Sequence, residues 1–218
     1  MYVLSGGVAK YVELFIQAKA LSFEAMINEI FSENSLFLDE RENILIDKLG
    51  KDYDNYFSIL TLIASSKTSR SEMESTMEMQ VGGFLDRLEN DFSLISKVRP
   101  IFAKPLSRNV RYRITDNFLN FWFRFIYRYR SVIEMHNFKY VKDIIKRDYT
   151  TYSGTILERY FTQKIANECN FSAIGSYWEV GNKNKIDIVA INEHEKRVLI
   201  AEIKRQRKNI DINLLKSK

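Results

Sequence analysis

Two carboxylates and an amine near the C-terminal end carry the clearest chemical signal in the chain: Asp187 in Lys-Ile-Asp-Ile-Val, with Glu202 and Lys204 in Ala-Glu-Ile-Lys. Paired carboxylates make a hard-oxygen site for Mg²⁺, an ion that polarises a phosphoryl oxygen and lowers the pKa of bound water. An adjacent ammonium neutralises charge building on a scissile phosphate or positions the attacking water. Such a group suits phosphodiester hydrolysis. Glu158, on a preceding helix, is a third candidate carboxylate. The candidate catalytic residues are thus Asp187, Glu202 and Lys204, the candidate metal ligands Glu158, Asp187 and Glu202, and the expected ion Mg²⁺.

The elements that must gather them are one helix and a set of strands. Ile156, Leu157, Tyr160, Phe161 and Ile165 recur at helical spacing beyond Asp148, with Glu158 among them. Residues Phe171 to Val180 read as a strand, Gly181 to Asn184 as a turn, Ile186 to Ile191 as a strand, Asn192 to Lys196 as a turn, and Arg197 to Lys204 as a third strand. Both faces of the last two strands are apolar, which predicts central positions. Pairing Ile191 with Val198 and Val189 with Ile200 brings Asp187 opposite Glu202, whereas a one-residue slip sends Asp187 to the other face. Glu-x-Lys alone is a weak motif in a chain rich in both residues. Solvent-facing charge at strand ends remains the competing account.

Charge is divided by position. Residues 1–96 hold 8 Lys or Arg against 16 Asp or Glu, whereas residues 97–218 hold 25 against 12. The basic half is a candidate for a phosphate-rich partner, and an acidic protein partner is the alternative. From Asp54 the order is helix, helix, helix and two-stranded ribbon, that of a winged helix-turn-helix. Tyr56, Ile59, Leu60 and Ile63 form the first stripe. Ser69 and Glu72 have capping-box spacing before a helix with Met73 and Met77 inward, and Gly82-Gly83 marks a break before Phe84, Leu85 and Leu88. Leu94 to Val98 and Val110 to Ile114 are the ribbon. Acids on the second and third helices disfavour major-groove reading by the third. The wing has no acid between Lys97 and Arg113, so Lys97, Arg99, Lys104, Arg108, Arg111 and Arg113 are the candidate nucleic-acid contacts.

Upstream, Val8, Tyr11, Val12 and Phe15 share a helix face, and Ser22 is placed to cap a helix carrying Phe23, Met26, Ile27 and Ile30. Downstream, Phe118, Trp122, Phe125 and Tyr129 fall on one face of a helix that carries Arg124, Arg128 and Arg130 on others. Core packing is the favoured account over base stacking, because an exposed stripe of that width would be a large apolar patch. The single cysteine, Cys169, excludes an intrachain disulfide framework and is expected in the core. No run of 18 apolar residues occurs, and Met1 to Lys10 has no basic stretch followed by an apolar one. A cytoplasmic protein without a membrane partner is expected.

The Gly-Gly-Val-Ala-Lys-Tyr start, the aromatic stretch from Tyr112 to Phe125, and the tail from Ile-Asp-Ile-Val to Ala-Glu-Ile-Lys together resemble the archaeal-type P-loop (AAA) ATPase family. Its members carry a C-terminal domain of unknown function. Here Ala9 stands where the opening motif often has proline. The C-terminal region also resembles the PD-(D/E)xK nuclease superfamily, which implies the motif roles for Glu158, Asp187, Glu202 and Lys204. No Gly-x-x-x-x-Gly-Lys-Ser/Thr occurs, so ATP is expected only in an ATPase domain outside this chain.

The expected fold is α+β. Residues 1–50 form a helical subdomain and remnant of the ATPase lid, 51–115 a winged helix-turn-helix, 116–150 aromatic connecting helices, and 151–218 a restriction-endonuclease-like α/β domain. That last domain is expected to be truncated, the chain ending in a helix begun near Ile210 with Leu214 and Leu215 inward. The expected function is a DNA-binding, nuclease-like region acting with ATP hydrolysis elsewhere. The alternative is a catalytically inactive interaction module with a basic docking surface.

Overall fold

The computed structural model describes residues 1–33, 35–104, 106–179, 184–206, 213 and 215. Positions 180–183, the last residue of the expected first strand and most of the expected turn after it, lie outside that set. So does the expected helix from Ile210, apart from the single residues Asn213 and Leu215. The fold is mixed α+β: mostly helical, with a two-stranded and a three-stranded sheet. Two compact units divide it, one of residues 1–97 and 112–147, the other of residues 98–111 and 148–218.

The first unit begins with α1 (Tyr2–Ser5), α2 (Ala9–Gln17), α3 (Phe23–Ile30) and α4 (Leu36–Leu49). Gly6 closes α1 at φ +64°, and a Cβ there would stand 3.3 Å from Asn117 Cβ, so the turn needs glycine on both counts. Tyr11 and Phe15 are the buried residues of α2, and Ser22 Oγ accepts from Ala25 N at 3.1 Å to cap α3. Within the expected helical subdomain, α4 is the helix without a clear apolar period in its sequence, yet Phe37, Leu45 and Leu49 are buried.

The next elements are α5 (Tyr53–Ala64), α6 (Arg70–Met77), α7 (Gly82–Asn90), β1 (Ile95–Val98) and β2 (Arg111–Ile114). Tyr56, Ile59, Leu60 and Ile63 are all buried. The Ser69–Glu72 capping box forms in both directions, with Ser69 N donating to Glu72 Oε2 at 2.9 Å. Gly82 and Gly83 differ from expectation, forming the first turn of α7 rather than a break before it.

The aromatic stretch is not one α-helix. It runs as α8 (Asn117–Phe121), a π-helical turn (Trp122–Ile126), a 3₁₀ turn (Tyr127–Tyr129) and α9 (Arg130–Glu134). A regular helix turns one stripe inward, and the wider π turn changes the phase. Phe118, Phe121, Trp122, Phe123 and Phe125 are all buried as a result. Phe57 meets Phe123 and Tyr127 edge-on at 5.3 and 5.0 Å. Arg124 donates to the Ala64 carbonyl at 2.8 Å and Arg128 to Ser65 Oγ at 3.0 Å, so these cations close the C-terminus of α5.

Helix α10 (Phe138–Ala166) starts well before the helix expected beyond Asp148 and passes from the first unit into the second. The second unit adds β3 (Ala173–Tyr177), β4 (Ile186–Asn192) and β5 (Arg197–Ala201), an antiparallel sheet in the order β3-β4-β5. Ile191 pairs with Val198 and Val189 with Ile200, the register under which Asp187 is expected to come opposite Glu202. Two expectations for β5 are corrected. It ends at Ala201 instead of Lys204, and it is an edge strand among the described residues, with Val198 56% and Ile200 50% exposed. Cys169, expected in the core, is exposed in the turn after α10.

Candidate functional site

In the second unit, α10 supplies Glu158, the start of β4 supplies Lys185 and Asp187, and the segment leaving β5 supplies Glu202 and Lys204. Because Ile188 faces Ala201 across the sheet, Asp187 comes level with Glu202 and the chain that follows it. One carboxylate oxygen of Asp187, Oδ2, accepts from Ile203 N at 3.0 Å, so the side chain pins the segment that carries Glu202 and Lys204. Arg205 continues the anchoring, donating to Thr150 Oγ1 at 3.3 Å and lying over the Tyr149 ring at 5.0 Å.

The other Asp187 oxygen, Oδ1, lies 2.9 Å from Lys185 Nζ, which is also 2.9 Å from Glu158 Oε2. Lys185 therefore ties helix to strand. It was not among the residues singled out from sequence. A signal was present in its position two residues before Asp187, which puts both side chains on one face of an extended segment. Lys204 Nζ lies 2.7 Å from Glu202 Oε2, a second ion pair next to the first.

Burial sets the electrostatics. It raises the Glu158 carboxyl above the usual range against the opposing charge of Lys185, and the Asp187 charge raises it further. Burial works against the Lys185 ammonium, but Glu158 and then Asp187 outweigh it and hold Lys185 above the ordinary lysine value. Lys204 is raised chiefly by its hydrogen bond to Glu202.

The sheet register thus brings Asp187, Glu202 and Lys204 to one end, with Glu158 joined through Lys185. Among the described residues, no three of His, Cys, Asp and Glu converge as a group that could hold a metal ion. The lysine ammonium stands where two of the carboxylates would otherwise face each other.

The six wing cations have different surroundings. In the first unit, Lys97 Nζ is 3.1 Å from Asp86 Oδ1 and 2.8 Å from Glu89 Oε2, and Arg113 Nε donates to Ser96 Oγ at 3.0 Å. In the second unit, Arg111 lies over the Trp178 ring at 4.5 Å, while Arg99, Lys104 and Arg108 are exposed.

A family profile described as "Archaea bacterial proteins of unknown function" matches residues 122–214, a range that contains Glu158, Asp187, Glu202 and Lys204. An uncharacterized protein of Methanocaldococcus jannaschii is 27% identical over 207 residues, covering 91% of this chain and 46% of the relative. The chain thus spans about half the length of the curated relative it matches. No solved structure matches it. No helix among the described residues is long and apolar enough to cross a membrane.

Proposed function

We propose that the second unit is a nuclease-like module that engages nucleic acid and cleaves phosphodiester bonds with Mg²⁺. The supporting observation is the β4–β5 register, which sets Asp187 level with Glu202 and lets its carboxylate hold the backbone of Ile203 between Glu202 and Lys204.

The donor chemistry fits a divalent ion in part. Asp187 and Glu202 stand at one end of the sheet, but Lys185 engages both Asp187 and Glu158 and Lys204 engages Glu202, so these carboxylates could hold an ion only as those ammonium groups withdraw. When bound, Mg²⁺ supplies Lewis-acid polarisation of a phosphoryl oxygen and a more acidic water. Asp187 fixes the Glu202-Ile203-Lys204 segment. Lys204, on the more exposed side of its pair with Glu202, is the ammonium available to a phosphate.

The finer architecture belongs to the same proposal. The helices α5 to α7 followed by the β1–β2 ribbon have the order of a winged helix-turn-helix, and α10 with β3 to β5 resembles part of a PD-(D/E)xK domain. The chain then corresponds to the C-terminal region of an archaeal-type ATPase, with ATP hydrolysis and the P-loop domain lying elsewhere. DNA is the proposed partner.

A second reading, an inactive module docking an acidic protein through its basic surface, is favoured by the double hold of Lys185 on two candidate metal ligands. Nicking of supercoiled plasmid with and without Mg²⁺ separates the two. Metal-dependent nicking lost in Asp187→Ala and Lys204→Ala supports the first; nicking indifferent to both substitutions removes the site assignment. DNA binding at low salt that weakens steeply as salt rises is the companion expectation.

A further inference from the structure

Residues 98–111 connect β1 to β2, yet they pack as part of the second unit. Their attachment is specific. Ile101 N donates to the Ser176 carbonyl at 2.9 Å, so the loop adds a backbone bond to the outer edge of β3. Trp178 Nε1 donates to Asn109 Oδ1 at 3.0 Å, and Asn109 Nδ2 donates back to the Trp178 carbonyl at 3.4 Å.

On this anchored loop two large apolar side chains face water, Phe102 at 63% and Leu106 at 95% exposure. The Phe102 ring is supported from one side by Tyr177, centroid to centroid 6.1 Å. Arg99, Lys104 and Arg108 are exposed on the same loop, which contains no acid. Glu179, beyond Trp178, is already engaged: its Oε1 accepts from the Tyr177 hydroxyl at 3.1 Å and its Oε2 from Asn184 Nδ2 at 3.0 Å.

We infer that this loop binds an unpaired nucleic-acid strand, with Phe102 stacking on a base and Arg99, Lys104 and Arg108 meeting the flanking phosphates. The inference rests on the nucleic-acid reading of the second unit and sharpens it. An exposed ring on a held loop has a π face to offer, and only an unstacked base has a free face to meet it. A duplex would use the cations and leave the ring idle. Two apolar side chains with three cations would also suit an anionic lipid surface. Location favours the strand: Tyr177, under Phe102, pairs with Ile186, the neighbour of Asp187, so the loop lies at the carboxylate end of the sheet.

The test uses the full chain and a labelled oligothymidylate of about 15 nucleotides, its duplex with oligodeoxyadenylate, and phosphatidylcholine–phosphatidylserine vesicles. At low salt the single strand is expected to bind more tightly than the duplex. Phe102→Ala weakens single-strand binding about tenfold, the loss of one stack, while Phe102→Trp stays within about threefold. Arg108→Ala reduces the slope of log affinity against log salt by about 0.7. Thermal unfolding of each variant checks that the exposed substitution has left the fold intact. Unchanged single-strand affinity in Phe102→Ala overturns the stacking inference while the nucleic-acid reading stands. Absence of binding to both DNAs removes the two together. Vesicle binding that is lost in Leu106→Asp, without single-strand binding, assigns the loop to a lipid surface and overturns the inference.

Discussion

Lys185 Nζ stands 2.9 Å from Asp187 Oδ1 while holding Glu158 Oε2 at the same distance, so one ammonium is shared between a carboxylate from β4 and one from α10. Replacing it by methionine leaves two acids facing each other in a partly buried site. Lys185→Met is expected to destabilise the second unit by about 2 kcal/mol at pH 7, below the full cost of a broken buried pair because the lysine side chain is 34% exposed. The loss should shrink toward pH 5. Glu158 already has a raised pKa from burial, and it takes up a proton once the ammonium is gone. Urea unfolding followed through Trp178 fluorescence, in a Trp122→Phe background, measures this; equal losses at both pH values would count against the arrangement.

Asp187 has a positioning task that is separate from its charge. Its Oδ2 accepts from Ile203 N, and its Oδ1 faces Lys185. Asp187→Asn can keep an acceptor for the amide, whereas Asp187→Ala leaves the amide and the ammonium without it. The alanine variant is expected to lose about 1–3 kcal/mol more than the asparagine variant. Hydrogen exchange at the Ile203 amide should follow that order, and nicking activity, where present in the native protein, should be absent from both.

The register of β4 against β5 was legible because the short turn between Asn192 and Arg197 limits how Ile191 can face Val198 and Val189 face Ile200. Helix caps at Ser22 and Ser69 were legible for a similar reason, since a short hydroxyl side chain next to an apolar period has one efficient use. The acidic run in α4 concealed a helix whose buried side chains, among those described, are Phe37, Leu45 and Leu49. The π turn at Trp122–Ile126 was hidden because aromatics fill the segment and several helical phases bury comparable area. Lys185 escaped notice because a lysine near a strand start reads as solvated surface; its role depends on Glu158 arriving from a helix 27 residues earlier. The exposed apolar residues of β5 show the converse limit, since composition alone cannot distinguish an edge strand from a central one.

Lys97 gives a pH dependence in the first unit. Its hydrogen bond to Glu89 raises its pKa against the opposing effect of burial, and Asp86 adds to the rise. A lysine whose folded pKa is raised contributes stability that is complete below the unfolded value and is lost as pH rises through the folded one. Lys97→Met should therefore cost about 1 kcal/mol at pH 7, and the difference from the native chain should fade as pH rises beyond the ordinary lysine range near about 10.4. Urea midpoints at pH 7 and in the alkaline range, read through Trp122 fluorescence in a Trp178→Phe background, provide the comparison. A difference that persists unchanged into strong alkali would mean that Lys97 acts through packing alone.

Trp122 tests whether the π turn is a device of packing. Its ring lies fully within the first unit, edge-on to Phe57 and Phe123 at 6.2 and 5.0 Å, and its Nε1 donates to the Leu38 carbonyl in α4 at 3.2 Å. Trp122→Phe keeps most of the apolar volume but removes that donor, so it should cost about 1–2 kcal/mol from the lost hydrogen bond and the small void. Trp122→Ala opens a large cavity and should cost about 3–5 kcal/mol. Hydrogen exchange adds a readout that volume alone does not supply: Trp122→Phe should loosen the Leu38 end of α4 more than it loosens α5, because the lost bond leads to α4. Uniform loosening of both helices would show that the indole acts by its bulk and that its bond to Leu38 contributes nothing separate.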